Sequence, residues 1–156
     1  MSISTKEELQ FLLHRGLEIE KKFESMSAWK GFVTVDSYHR KIVLVLARES
    51  NKHGLDLEKM LKTLGLELPT DEFVQEIFNF EGMLDSEILY KIIRQDEIAA
   101  DIYSELVEKT DPKLVRSLSG NDDTSFFYQT LKRIIEDEKR HVSMIKSLTG
   151  NIIRVQ

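Results

Sequence analysis

Apolar residues recur along this chain at helical rather than strand spacing, in four long runs. Leu9, Leu12, Leu13, Leu17, Phe23 and Met26 form the first stripe, which extends to about Lys30. A Ser-x-x-Glu box at Ser4 and Glu7 predicts its start, because those two side chains satisfy N–H groups that the first turn leaves free. Gly31 to Asp36 reads as a turn, with Thr34 or Asp36 as the next N-cap. The second run spans about Ser37 to Leu64 and stops at Gly65. Its stripe is Ile42, Leu46, Glu49, His53, Leu57, Met60 and Leu64. Ile42 to Ala47 is apolar on every side, which predicts a helix buried on most of its surface.

Pro69 and Thr70 then break the pattern, DEFVQEIF reads as a short helix, and Gly82 with Asp85 closes that segment. A third helix is expected from about Ser86 to Lys109, ended by Asp111–Pro112. A loop containing Ser119 to Asp123 follows. The fourth helix is expected from about Thr124 to Thr149, with Gly150 as its stop. Its stripe is Phe127, Leu131, Ile134, Glu138, His141, Ile145 and Leu148. Helices of about 25 residues are roughly 37 Å long at 1.5 Å per residue. Short connections make the first and second, and the third and fourth, antiparallel pairs. The longer segment between the second and third can cross the whole length. The expected fold is therefore all-α, one four-helix bundle domain over residues 1–156 with a long crossover between helices 2 and 3.

Composition narrows the chemistry. The 156 residues are 41% apolar and 31% charged, with only 7 Gly and 2 Pro, as a globular chain of few long elements requires. The net charge of −5 and the absence of a basic cluster argue against nucleic acid or an anionic membrane surface as partners. There is no cysteine, so disulfides, thiolate zinc sites and iron–sulfur centres are excluded. Any tightly held metal must be bound by Asp, Glu and His. The start MSISTKEELQ is polar and no apolar run approaches about 18 residues, so neither a secretory signal nor a membrane span is expected, and the cytoplasm is the expected compartment.

The informative residues are polar ones standing where the stripes demand apolar ones. Glu138 and His141 are three apart, hence neighbours on one helix face, between Leu131, Ile134, Ile145 and Leu148. An unpaired carboxylate there would cost several kcal/mol, a penalty that a shared ion removes. Glu49 and His53 repeat the theme between Leu46 and Leu57. Glu20 falls in the row Leu9, Leu13, Gly16, Phe23 and Ser27. Asp96 lines up with Leu89, Ile92, Ala99 and Tyr103, while Glu97 keeps company with Tyr90, Ile93, Ala100 and Ser104. The register of Ala99 and Tyr103 favours Asp96 as the inward acid and the length of the side chain favours Glu97, so both are candidates. His14 and His39 lack an acid partner at ligand spacing on an inward stripe and read as surface residues. Tyr103, Phe23 and Trp29 read as packing. Carboxylate oxygens with imidazole nitrogens suit iron or manganese and admit zinc.

The run IIEDEKRHVSMI, with Glu138-Lys-Arg-His141, resembles the last helix of rubrerythrins and their erythrin relatives in the ferritin-like superfamily. ARESNKHGLDLEKML resembles their second helix, and DEIAADIYSEL matches their acid-x-x-Ala-x-x-x-Tyr register at Asp96, Ala99 and Tyr103. The likeness covers residues 4–149. It implies a di-iron site in the bundle core, held by Glu20, Glu49, His53, Asp96 or Glu97, Glu138 and His141. It also implies oxidation of Fe(II) or reduction of peroxide, assembly into a dimer or larger homo-oligomer, and an external electron donor. An iron carrier or storage subunit, and a metal-free or zinc-containing interaction module, are the alternatives.

The chain departs from the pattern in three places. Ser50, not an acid, stands three residues before His53, and Glu49 lies about 100° away on an ideal helix. If Glu49 is a ligand, the backbone near Ser50 should depart from ideal α geometry, an adjustment that Gly54 would ease. The third-helix acid in the best register is the shorter Asp. Arg94 replaces the additional glutamate of some rubrerythrins. These departures leave one ion, an unequal pair, or none as the expected occupancy.

Overall fold

The computed structural model describes residues 2–26, 37–70 and 84–149, except for the side chains of 23–26, 37–39, 85, 148 and 149. The expected turn at Gly31 to Asp36, the DEFVQEIF helix, Gly82, Trp29 and the stop at Gly150 lie outside the described residues, as do the side chains of Phe23, His39 and Leu148. The described residues form five helices: α1 (Lys6–Met26), α2 (Ser37–Thr63), α3 (Asp85–Lys109), α4 (Pro112–Ser119) and α5 (Ser125–Thr149). No strand occurs among them, only an isolated parallel bridge between Ile3 and Thr110. No helix among them is long and apolar enough to cross a membrane.

The start of α1 is one residue later than expected. Thr5, not Ser4, is the cap: its Oγ1 accepts from the Glu8 N–H at 3.2 Å and donates to Glu8 Oε1 at 2.8 Å. STKEEL offers both boxes, and the one used begins at Thr5, two residues after the bridged Ile3. Ile3 N–H donates to the Lys109 carbonyl and its own carbonyl accepts from Asp111 N–H, which holds residue 3 extended. The end of α2 follows the expectation at Gly65. That residue is left-handed (φ +66°), Leu66 N–H reaches back to the Leu61 carbonyl, and Gly65 N–H to that of Lys62.

The expected loop after Asp111–Pro112 is itself a helix in part. Asp111 accepts from Lys113 N–H at 2.9 Å, Pro112 fills the first position, Val115 is buried, and left-handed Gly120 closes α4. The pair Asp-Pro thus ends one helix by starting another.

α1 packs on α2 and α3, and α5 packs on α3 and α2, so the four long helices touch in a ring. Their apolar side chains form two clusters. The larger gathers Leu13, Leu17, Leu57, Leu61, Tyr103, Leu106, Phe127 and Leu131, among others. The smaller holds Ile42, Val43, Leu46, Ile88, Leu89, Ile92, Ile93 and Ile145. Along α2, α3 and α5 the residues between the two clusters include Ser50, His53, Asp96, Glu138 and His141, all buried. A polar layer therefore divides the core.

Candidate metal centre

Glu20 from α1, His53 from α2, Asp96 from α3, and Glu138 with His141 from α5 meet in this layer, each at most 2% exposed. Two groups of three have ligand atoms within 4.8 Å of one another: Glu20, His53 and Glu138, and Asp96, Glu138 and His141. Glu138 belongs to both. Its Oε1 lies 2.8 Å from His53 Nδ1, and its Oε2 lies 4.0 Å from His141 Nδ1. The imidazole centroids are 6.2 Å apart, with the rings inclined by 26°.

The two groups are satisfied differently. In the first, Tyr103 O–H donates to Glu20 Oε1 at 2.9 Å, and His53 faces carboxylates at both ring nitrogens, Glu138 at Nδ1 and Asp137 at Nε2. Only an imidazolium donates at both. Burial pulls the His53 pKa down, but hydrogen bonds and charge from Glu20 and Asp137 outweigh it and raise the value. In the second group Asp96 Oδ2, Glu138 Oε2 and His141 Nδ1 are buried without hydrogen-bond partners. Orphaned atoms of this kind are rare in folded proteins. Burial, reinforced by the charges of Glu20 and Asp96, pushes the Glu138 carboxyl well above its ordinary range. A divalent cation would reverse that cost at a stroke. The donor set of three carboxylates and two imidazoles fits iron or manganese, with zinc admissible.

The two remaining candidates belong to neither group. Glu97 lies on the outer side of α3 beside Arg94, 3.4 Å away, whereas Asp96 faces the interior as the Ala99 and Tyr103 register predicts. Glu49 sits at the seam between α2 and α5. It contacts the far nitrogen of His141 and the Arg140 guanidinium, and its side chain is 26% exposed. α2 stays α-helical from Ser37 to Thr63, so no bulge swings Glu49 inward, and Ser50 takes the inward position with its hydroxyl unpartnered. His14, expected at the surface, is half-buried and bonds the Glu67 carbonyl at 2.6 Å.

Asp137 is the residue that sequence reasoning missed. It looks like one charge in the run EDEKR, yet its Oδ2 accepts from His53 Nε2–H at 2.8 Å. Hydrogen bonding and charge from His53 lower its pKa against the opposing effect of burial. The available signal was its spacing: Asp137 precedes His141 by four residues, as Glu49 precedes His53.

Gly16 shows how tightly α1 and α3 must approach. A Cβ there would lie 2.5 Å from Tyr103 Cε1. Gly16→Ala would favour the helix by about 1 kcal/mol in isolation. The clash outweighs that gain, with a net loss of roughly 1–3 kcal/mol expected in urea unfolding. The tyrosine ring must shift, and its hydroxyl leaves Glu20. A variant as stable as the parent would show that the ring is not confined there.

Comparison of the chain with family models, with curated proteins and with solved structures finds no match in any of the three.

Proposed function

We propose that the chain is a metal-binding ferritin-like four-helix bundle, of the rubrerythrin-related di-iron kind, that oxidises Fe(II) or reduces peroxide. One observation carries this reading: three buried ligand atoms, Asp96 Oδ2, Glu138 Oε2 and His141 Nδ1, converge to within 4.0 Å of the histidine nitrogen without a hydrogen bond among them, beside a second carboxylate–histidine group that shares Glu138. The arrangement of the helices favours the crossover topology. The beginnings of α2 and α3 share the smaller apolar cluster, which supports a parallel placement of these two helices, as a crossover requires.

Glu20 and His53 would hold one ion, Asp96 and His141 the other, with Glu138 between them. Iron held there would supply the electron-transfer chemistry that Fe(II) oxidation or peroxide reduction needs. The chain's own residues keep the ligands fixed: Tyr103 remains a hydrogen-bond donor to Glu20, because burial and the nearby carboxylates raise its pKa well above the usual phenol value. The two apolar clusters keep bulk water from the layer. An anaerobic Fe(II) titration followed by O₂ or peroxide tests the proposal. Uptake of iron and its oxidation on mixing are expected; a chain that takes up no metal would return the reading to an interaction module.

Loading should depend on pH. Glu138 and His53 both have raised pKa values in the metal-free fold, so their stabilising contribution is present at low pH and is lost as pH rises through those values. Asp137 acts oppositely, its contribution being lost as pH falls through its lowered value. Bound metal requires Glu138 and His53 Nδ1 to be free of protons. The rise in Tm produced by Mn(II) is therefore expected to grow between about pH 6 and about pH 8. A constant increment would mean that neither proton is displaced.

A further inference from the structure

α2 and α5 carry the same register. Glu49, Ser50 and His53 on α2 correspond to Asp137, Glu138 and His141 on α5. The outer contacts are exchanged between the helices. His53 Nε2 meets Asp137 of α5 at 2.8 Å, and His141 Nε2 meets Glu49 of α2. Each histidine thereby keeps its Nδ1 turned inward, where Glu138 lies within 4.0 Å of both.

One side chain joins the two outer acids. Arg140 Nη2 is 2.6 Å from Glu49 Oε1 and 3.1 Å from Asp137 Oδ1. From this continuous path, His53–Asp137–Arg140–Glu49–His141, we propose that Arg140 is a positioning residue for both imidazoles, a single clamp that orients the two halves of the centre together. The proposal rests on the metal reading above.

The physical reason is the geometry a histidine ligand needs. A carboxylate on Nε2–H fixes the ring plane and the tautomer, leaving the Nδ1 lone pair for a metal. Glu49 and Asp137 are both anions at one partly solvated edge, and they repel each other. Without a cation between them they would be drawn towards water, and both rings would lose their outer anchors. The planar guanidinium can donate to two carboxylates at once, whereas a lysine ammonium is a point charge on a flexible stem. Arg140 thereby gives Glu49 a place in the site after all, outside the ligand shell rather than within it.

The molecule supplies a matched control. Arg133, two turns earlier on α5, also bridges to α2, at 3.0 Å from Asp56, and its side chain is 53% exposed against 52% for Arg140. No histidine touches that pair among the contacts described. Co(II) binding, followed by its absorption bands, is compared in the parent chain, R140A, R140K and R133A, with helix content checked by circular dichroism. R140A is expected to lower Co(II) affinity by about 10- to 100-fold, and R133A to leave it within about twofold. R140K should recover only part of the loss, and millimolar guanidinium ion should partly rescue R140A. With Zn(II) bound, ¹⁵N spectra of the parent should show both histidines protonated at Nε2, and mixed signals in R140A.

Equal losses in R140A and R133A, or undiminished affinity in R140A with the histidine signals unchanged, would overturn the clamp. Should R140A fail to fold, R140K carries the same test, and full affinity in it would count against a two-acid fork. A parent chain that binds no Co(II) defeats the metal reading itself, whereas a parent that binds and an R140A that binds equally well defeats the clamp alone.

Discussion

Glu138→Ala is expected to abolish metal uptake by both halves of the centre while leaving the helix content intact. Glu138 is the only residue common to the two ligand groups, with Oε1 turned to His53 and Oε2 to His141. Loss of an outer partner of a ligand commonly lowers metal affinity 10- to 100-fold, so loss of a shared inner one should exceed about 100-fold. The metal-free protein should respond in the opposite sense. Its Glu138 is buried beside Glu20 and Asp96, which disfavours the carboxylate form. Glu138→Gln, which keeps the volume and removes the charge, should raise the Tm of the metal-free chain as pH increases. Calorimetry on both variants, with and without Mn(II), gives the comparison. Metal binding undiminished in Glu138→Ala would remove the residue from the site.

Ser50→Glu should have the second-largest effect, again with opposite signs for the two forms. Ser50 occupies on α2 the position of Glu138 on α5, is buried, and has no partner for its hydroxyl. The substitution completes a second Glu-x-x-His on a helix that is already regular. In the metal-free chain it adds a fourth carboxylate to Glu20, Asp96 and Glu138, which should destabilise the fold by about 3 kcal/mol. In the loaded chain the same group becomes a ligand. Metal bound per chain, or the rate of Fe(II) oxidation, should rise above the parent. A drop in stability without any gain in metal would mean that the α2 side of the layer cannot reach an ion.

Most of the inward acids were legible because helical period alone decides which way a side chain faces. Asp96 over Glu97 follows from the neighbours Ala99 and Tyr103, and Glu138 with His141 from Ile134 and Ile145. What period cannot supply is the partner across a seam. Glu49 reads as a misplaced ligand on its own helix, and Asp137 as a solvated charge. Both become intelligible only when α2 and α5 are packed and each acid meets the other helix's histidine. The unexpected α4 has a different cause. Asp111–Pro112 stops a helix, and the same pair caps and opens the next, so local signals of opposite meaning share two residues. The start of α1 falls at the second of two adjacent capping boxes, next to the long-range bridge from Ile3 to Thr110, which local sequence does not announce.

The polar layer that divides the apolar core has a consequence for how the molecule breathes. An undivided core ties distant turns of its helices into one cooperative unit, because opening any part exposes apolar surface throughout. Here the cluster around Ile42, Ile92 and Ile145 is separated from the larger one around Leu13, Leu61 and Leu131 by buried polar and charged side chains, which gain hydration when either end opens. Without a bound ion, amide hydrogen exchange is expected to show the smaller end opening as a local foldon while the larger end stays protected. An ion held by side chains from four helices would rivet the two ends together, so its binding would decide whether the chain unfolds in pieces or as a whole.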